Sequence, residues 1–383
     1  MRLAFCIFKY FPFGGLQRDC LEIAHTCRKR GHDVTLFTME WDAPLPQGMT
    51  VRAIQSCGLS NHGQCNSFVK LVLPQLQTGE FDVVVGFNKM PGLDFYYAGD
   101  SCYQERTRLK YHWQSPIYWM MPRFRRYVAL EKAVFDPRSP ADIILLAPAH
   151  KEVYARHYNT PAERFHLLPP GISQDRKPPT DAGRIRTSFR RDHLRSEDGH
   201  LLLMVGTCLQ GKGVDRAVRA VAALPRELRN HTTLVTVGDD RMEPCKRLAA
   251  RLGVGSQLRM FSPQHDIQQF YLGADILMHP AYQDNTGSVI LESLAHGLPV
   301  ITTDTCGYAD HVSAGKAGIV IPSPFRQDLL NQSLTDYLAS PSNRQASAVN
   351  GRSYAASLDL HDRAHLVALL IEARAARERH ALH

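Results

Sequence analysis

Two acids with seven residues between them, Asp284 and Glu292 in "YQDNTGSVILE", and a lysine between glycines, Lys212 in "QGKGVDR", are the side chains of this 383-residue sequence best placed for chemistry. Two carboxylates can flank a glycosidic bond as acid and base. A carboxylate near a helix start can also accept two hydrogen bonds from a vicinal diol such as a ribose. A lysine beside exposed amides and a helix N-terminus stabilises negative charge, as a phosphate cradle does. The GxxxxGK[ST] register of a P-loop is absent. Arg176, in "PPGISQDRK", offers a second cation. Plain structural roles stand beside each of these: macrodipole complement for Glu292, an Asx turn for Asp284, solvated surface cations for Lys212 and Arg176.

Near the N-terminus, "KYFPFGGLQRD" follows an apolar run and precedes a helical pattern. Gly14 and Gly15 there permit positive φ and close backbone approach, so a diphosphate or sugar fits on the amides of the helix that Leu16 begins. A turn serving only the chain reversal is the alternative. The pattern is not GxGxxG, so the dinucleotide fingerprint is missing.

The elements that must position these groups alternate in type. Apolar runs "LAFCIF", "VTLFT", "FDVVVGF" and "ADIILLA" alternate with helical patterns in the first half, as do "LLLMVG", "TTLVTVG", "ADILMHP", "LPVITT" and "AGIVIP" in the second. That alternation predicts βαβ units and parallel sheets covered on both faces. It occurs twice, and the length exceeds what one core supports. The fold class is therefore α/β, with two doubly wound domains whose boundary falls near Gly171, in the Pro- and Gly-rich stretch Leu167 to Arg186. Two such domains facing a central cleft bring the carboxyl ends of both sheets to one place, which suits a two-substrate reaction. In the second, Ser288 is the expected N-cap and Gly297 the stop of the helix carrying Glu292.

Composition sets limits. The hydrophobic share is 44% and the charged share 21%, ordinary for a globular chain, and no apolar run reaches the roughly 18 residues of a membrane span. "MRLAFCIFKY" is interrupted by Lys9 before a signal-peptide core is complete, so a cytoplasmic location is expected. Nine scattered cysteines without a CxxC pair suit reduced thiols.

Together "KYFPFGGLQRD", "GFNKMPGLD", "LPPGI", "GKGVDR" and the acid-x7-acid loop before "GLPV" resemble the lipopolysaccharide core glucosyltransferase I family of Gram-negative bacteria, family 4 retaining glycosyltransferases. The resemblance runs over essentially the whole chain. It implies the GT-B fold, with a last helix, about 360–383, that joins the acceptor-side domain 1–170, and a nucleotide-sugar-binding domain 171–359. It implies catalysis without a metal or other cofactor, and the sequence carries no DxD motif. By the same resemblance Lys212 and Arg176 neutralise the diphosphate, Gly14 and Gly15 approach it, and Glu292 holds the ribose. Asp284 touches the donor sugar, Gly287, Ser288 and Val289 line the site, Gln264 in "SPQHD" lies near the base, and Asp19 and Asp100 lie near the transfer site. Two departures stand out: Asp284 is one methylene shorter than the family's first glutamate, and Gly211 replaces an arginine before the lysine. The implied reaction moves a hexose, glucose in the first instance, from a UDP-sugar to an inner-core heptose of lipopolysaccharide. Another hexose donor, or another glycan or lipid acceptor, is the enzymic alternative; a non-catalytic basic binding protein is the other.

From Tyr103 to Tyr127 the chain holds two of its three tryptophans, four tyrosines and six Arg or Lys against one acid. Rings at headgroup depth with cations on anionic lipid explain that mixture, and Lys110, Trp113, Trp119, Arg123, Arg125 and Arg126 are the expected membrane contacts. Stacking on nucleic-acid bases and a fold-internal helix are the other readings. The resemblance favours docking on the cytoplasmic face of the inner membrane, with nucleic acid no partner. Pro122 is expected to break any helix before Arg123.

Overall fold

A computed structural model of the chain describes residues 1–111, 116–194, 199–238 and 242–381, with side chains for all of these except 109–111, 116–117 and 378–381. They fall into two units, Met1–Pro169 with Asp362–His383, and Pro170–His361.

The first unit is built on seven parallel strands: Arg2–Cys6 (β1), Asp33–Thr38 (β2), Thr50–Ala53 (β3), Val83–Gly86 (β4), Phe95–Tyr97 (β5), Asp142–Leu145 (β6) and Phe165–Leu167 (β7). Their order in the sheet is β3-β2-β1-β4-β5-β6-β7. Alternation along β1 sends Leu3 and Phe5 into a core with the Gly15–Lys29 and Arg363–Ala381 helices, and Ala4 and Cys6 into a core with the Asn61–Leu76 and Pro122–Phe135 helices. Both faces are thus covered, which a buried parallel sheet requires.

Ion pairs reinforce the apolar seam of the Arg363–Ala381 helix. Arg363 Nη2 lies 2.6 Å from Asp19 Oδ1, Arg374 Nη1 lies 3.0 Å from Asp142 Oδ2, and Glu372 meets Arg30 at 2.7 Å and His32 at 2.8 Å. The Arg30 hydrogen bonds hold the Glu372 carboxyl at about 2, below its usual 4.5. A depressed folded pKa stabilises above the unfolded value and is lost as pH falls through the folded one. Glu372→Gln should therefore cost about 1 kcal/mol at neutral pH after solvent screening, with the difference vanishing near pH 2 in urea titrations.

The second unit has six parallel strands: His200–Val205 (β8), Thr232–Val237 (β9), Leu258–Phe261 (β10), Ile276–His279 (β11), Val300–Thr303 (β12) and Gly318–Ile321 (β13). Their order is β10-β9-β8-β11-β12-β13. Leu201 and Leu203 face one core, Leu202 and Met204 the other. Both sheets thus follow the doubly wound 3-2-1-4-5-6 order, which places ligands outside the carboxyl ends of the strands where the order reverses. The stretch that reads as a connection also holds a short 3-10 turn, Gln174–Arg176, and the start of the Ala182–His193 helix, clamped by Arg186 and Arg190 on Asp275 at 2.6 and 2.9 Å. Among the described residues no helix is long and apolar enough to cross a membrane.

Candidate functional site

Strand β11 ends at His279, and Pro280 turns the chain into the loop that carries Asp284. Backbone bonds pin that loop on two sides. Asp284 N donates to Thr305 O at 3.2 Å and Gly307 N donates to Asp284 O at 3.2 Å, while Tyr282 N donates to Gly211 O at 3.0 Å. Arg216 locks it further: its guanidinium lies 3.7 Å from the Tyr282 ring centroid and 3.6 Å from that of Phe325, and Nη1 donates to the Pro280 and Ala281 carbonyls. The helix that follows is Ser288–Ala295 and its cap is Gly287, not Ser288. The chain enters the helix through φ 73° at Gly287, a left-handed turn that glycine makes without strain, so the serine becomes the first helical residue.

After β8, a tight turn carries Lys212: its N–H donates to Cys208 O at 3.1 Å, and Gly213, at φ 78°, caps the Val214–Ala223 helix. A Cβ on Gly213 would lie 2.1 Å from the Pro280 carbonyl oxygen. Gly213→Ala therefore meets both left-handed strain of about 1–2 kcal/mol and a backbone collision that separates the two loops. A lowered Tm in melting curves is the expected outcome.

The two loops bring Lys212 and Asp284 together, Nζ to Oδ2 at 2.6 Å. His279 Nε2 reaches the same oxygen at 2.8 Å. Burial opposes charge on Asp284, but the Lys212 ammonium and the His279 ring more than offset it and hold the carboxyl well below the usual carboxylate range. Burial also opposes the His279 cation; Cys306 and Asp284 outweigh it and raise its pKa to about 9. This places a carboxylate between two cations at the carboxyl end of the sheet.

Glu292 is 2% exposed on the Ser288–Ala295 helix, and its Oε2 accepts from Tyr271 Oη at 2.8 Å. Arg176 Nε lies 3.9 Å from the same oxygen. Arg176 is 7% exposed, so it is a buried cation rather than a solvated linker side chain, and its Nε makes no hydrogen bond among the described residues. Asp175 Oδ2 also stands 3.5 Å from that Nε, an ion pair without hydrogen-bond geometry, and a buried guanidinium donor left so is costly unless a ligand completes it.

The remaining expected residues spread more widely. Gln264 folds back on its own loop, Nε2 to Ser262 O at 3.0 Å. Val289 is part of the first turn of the Ser288–Ala295 helix and packs against the core. Gly14 caps the Gly15–Lys29 helix at φ −79°, and neither Gly14 nor Gly15 uses the positive φ open to glycine. Space is the constraint instead, since a Cβ on Gly14 would collide with the Gln17 side chain and the Phe11 ring. Asp19 has both oxygens engaged, Oδ2 by Tyr97 Oη at 2.8 Å and Oδ1 by Arg363, which ties three elements together. Asp100 is exposed beyond β5, and its Oδ2 accepts from Asn88 Nδ2 at 3.3 Å. His279 and Tyr271 escape the sequence reading. A histidine ending an apolar strand, five residues before an acid, is the signal for the first; nothing local marks the second.

In the basic aromatic segment, Pro122 does end one element and starts another: a 3-10 turn Pro116–Met120 precedes the Pro122–Phe135 helix, with the proline at its first turn. Trp119, Met120 and Met121 are 49%, 78% and 45% exposed, and Arg123, Arg125 and Arg126 are exposed beside them. Tyr118 and Phe124 pack inward. Trp113 and the side chain of Lys110 lie outside the described residues. Buried Glu131 organises the start of the segment, accepting from Tyr103 N at 2.8 Å, Tyr158 Oη at 2.6 Å and Lys89 Nζ at 2.7 Å. Among the described residues no three His, Cys, Asp or Glu side chains form a metal-ligand set.

Two Rossmann-ordered units, the second with cations and acids at the carboxyl ends of its strands, have the architecture of GT-B glycosyltransferases. Residues 13–176 match the Glycosyltransferase Family 4 model and residues 185–354 the model for glycosyl transferases group 1. The chain is 40% identical over 361 residues to lipopolysaccharide glucosyltransferase WaaG of Escherichia coli strain K12, covering 94% of this chain and 96% of that one. A crystal structure of WaaG, a glycosyltransferase involved in lipopolysaccharide biosynthesis, superposes with a TM-score of 0.93 over 96% of this chain and 99% of that one. A D-inositol 3-phosphate glycosyltransferase of Geodermatophilus obscurus is 27% identical, over 80% of this chain and 74% of its own length. The chain belongs to the family 4 glycosyltransferases, with the lipopolysaccharide glucosyltransferases.

Proposed function

We propose that the chain transfers a hexose, glucose in the first instance, from a UDP-sugar to an inner-core heptose of lipopolysaccharide, with retention at the anomeric carbon. The Lys212–Asp284 pair at 2.6 Å, with Arg176 and Glu292 buried in the same unit, carries the reading. The 40% identity to a lipopolysaccharide glucosyltransferase supports its substrates.

Charge dictates the chemistry. Departure of UDP leaves an oxocarbenium-like sugar, and Lys212, Arg176 and loop amides meet the growing diphosphate charge, a preorganised term that is often the largest in catalysis. Asp284 orients the donor hexose, and Glu292 orients Arg176 while accepting from the ribose. Gly287, Ser288 and Val289 present backbone N–H groups, and the Gln264 loop lies along the base. Asp100 stands with the acceptor, Gly14 and Gly15 with the donor phosphates; Asp19 acts by holding its helix. The acceptor hydroxyl attacks on the face that UDP leaves, and a diphosphate oxygen takes its proton. No metal takes part, so activity survives EDTA.

UDP release tests the reading. Purified truncated core is offered with UDP-glucose, UDP-galactose and their N-acetyl forms in turn, and release with UDP-glucose is expected to dominate. Preference for another sugar would trace to the shorter Asp284; no release with any would refute the reading.

The exposed Trp119, Met120 and Met121 beside Arg123, Arg125 and Arg126 support docking on the anionic cytoplasmic face of the inner membrane. Replacing the three arginines with glutamate should abolish sedimentation with anionic vesicles at low salt and leave UDP binding intact, since each basic residue contributes about 1 kcal/mol at such a surface.

A further inference from the structure

Lys212 faces a conflict if it is to serve the diphosphate, because its ammonium already sits 2.6 Å from Asp284 Oδ2. Leaving would strand an anion with only 11% of its side chain exposed, and an uncompensated buried charge is expensive. His279 stands on the same oxygen at 2.8 Å and is itself 1% exposed. Its position is fixed from behind: Thr302 Oγ1 donates to the His279 carbonyl at 3.0 Å and lies 3.3 Å from Cys306 Sγ.

We infer that His279 is a positioning residue that supplies the standing counter-ion of Asp284, so that the Lys212 ammonium is free to move onto the donor diphosphate. Two cations share one carboxylate before the donor arrives. Once Lys212 turns to the phosphates, Asp284 and protonated His279 remain as a neutral buried pair, and the donor gains a full positive charge at no cost in stranded anion. The groups facing the His279 ring are Asp284, with Lys212 on its far side, and Cys306, whose own pKa the His279 cation lowers, so that sulfur and ring stabilise each other's charged forms. With its pKa raised to about 9, His279 carries its proton at neutral pH.

This rests on Lys212 binding the diphosphate, and the test separates the two claims. UDP affinity is measured by calorimetry on the full chain and on H279Q, K212A, H279Q/K212A and H279Q/D284N, with melting curves alongside. H279Q should weaken UDP about tenfold, because Lys212 is then held by Asp284 alone and a charged hydrogen bond must break to release it. In the K212A background the same change should alter UDP affinity less than about twofold, and D284N should restore affinity to H279Q, since no anion is left to hold the lysine. A merely structural role for His279 would keep its penalty in the K212A background. That result, or UDP binding by H279Q equal to that of the unaltered chain, overturns the inference. If K212A itself binds UDP normally, the diphosphate assignment falls first and takes this inference with it. On the unaltered chain UDP affinity should decline as pH passes 9; a flat profile from pH 7 to 10 is a second refutation that needs no variant.

Discussion

Lys212→Ala lowers kcat/KM for transfer by about 10²- to 10³-fold, the scale set by removing one preorganised donor from a developing anion. The loss falls mainly on kcat, because the diphosphate charge is greatest as the bond to the sugar breaks. No arginine precedes the lysine here: Gly211 occupies that place, and Arg216 is spent on the Pro280 and Ala281 carbonyls between two rings, which leaves Arg176. Few cations remain to substitute. Vesicle binding by the exposed arginines should be unchanged, so the same variant separates an enzyme from a basic binding protein. Steady-state kinetics with a UDP-sugar and truncated core measure it.

Glu292→Ala acts on both binding and stability. It removes the acceptor of the Tyr271 hydroxyl and the buried carboxylate 3.9 Å from Arg176, leaving a cation that is 7% exposed with only the more exposed Asp175, 3.5 Å away, as counter-ion. Breaking a buried charge arrangement from one side costs about 3 kcal/mol, read as a lower Tm. Donor KM should rise roughly tenfold, as expected for lost charged hydrogen bonds to ribose and a displaced Arg176. Glu292→Gln keeps an acceptor for Tyr271 and should recover part of the stability, while the donor KM stays high because the carboxylate is gone. Recovery of both would leave Glu292 a packing residue.

The nine apolar runs read from the sequence all lie on strands of the two sheets. What escaped notice is physically coherent. β3, β7 and β10 are edge strands, "TVRA", "FHL" and "LRMF", paired on one side only, so their compositions carry no continuous apolar signal. β5, "FYY", is interior but only three residues long. The acids and cations of the site were legible as types and spacings, because loops after parallel strands are where such groups collect. Their partners were not. Asp19 reads as a site acid in its motif, yet Tyr97 and Arg363 reach it from 78 and 344 residues away. Arg176 reads equally as a solvated linker residue, and only folding buries it against Glu292. His279 is nearer in sequence, but a strand-ending histidine gains its meaning only when the loop returns Asp284 to its ring.

The most direct test uses UDP-[¹⁴C]glucose and purified heptose-terminated core, with the product anomer read from its proton coupling by NMR. Label incorporated in the α configuration, the configuration of the donor, is the predicted result. No incorporation into the core, or a β-linked product, would contradict the account.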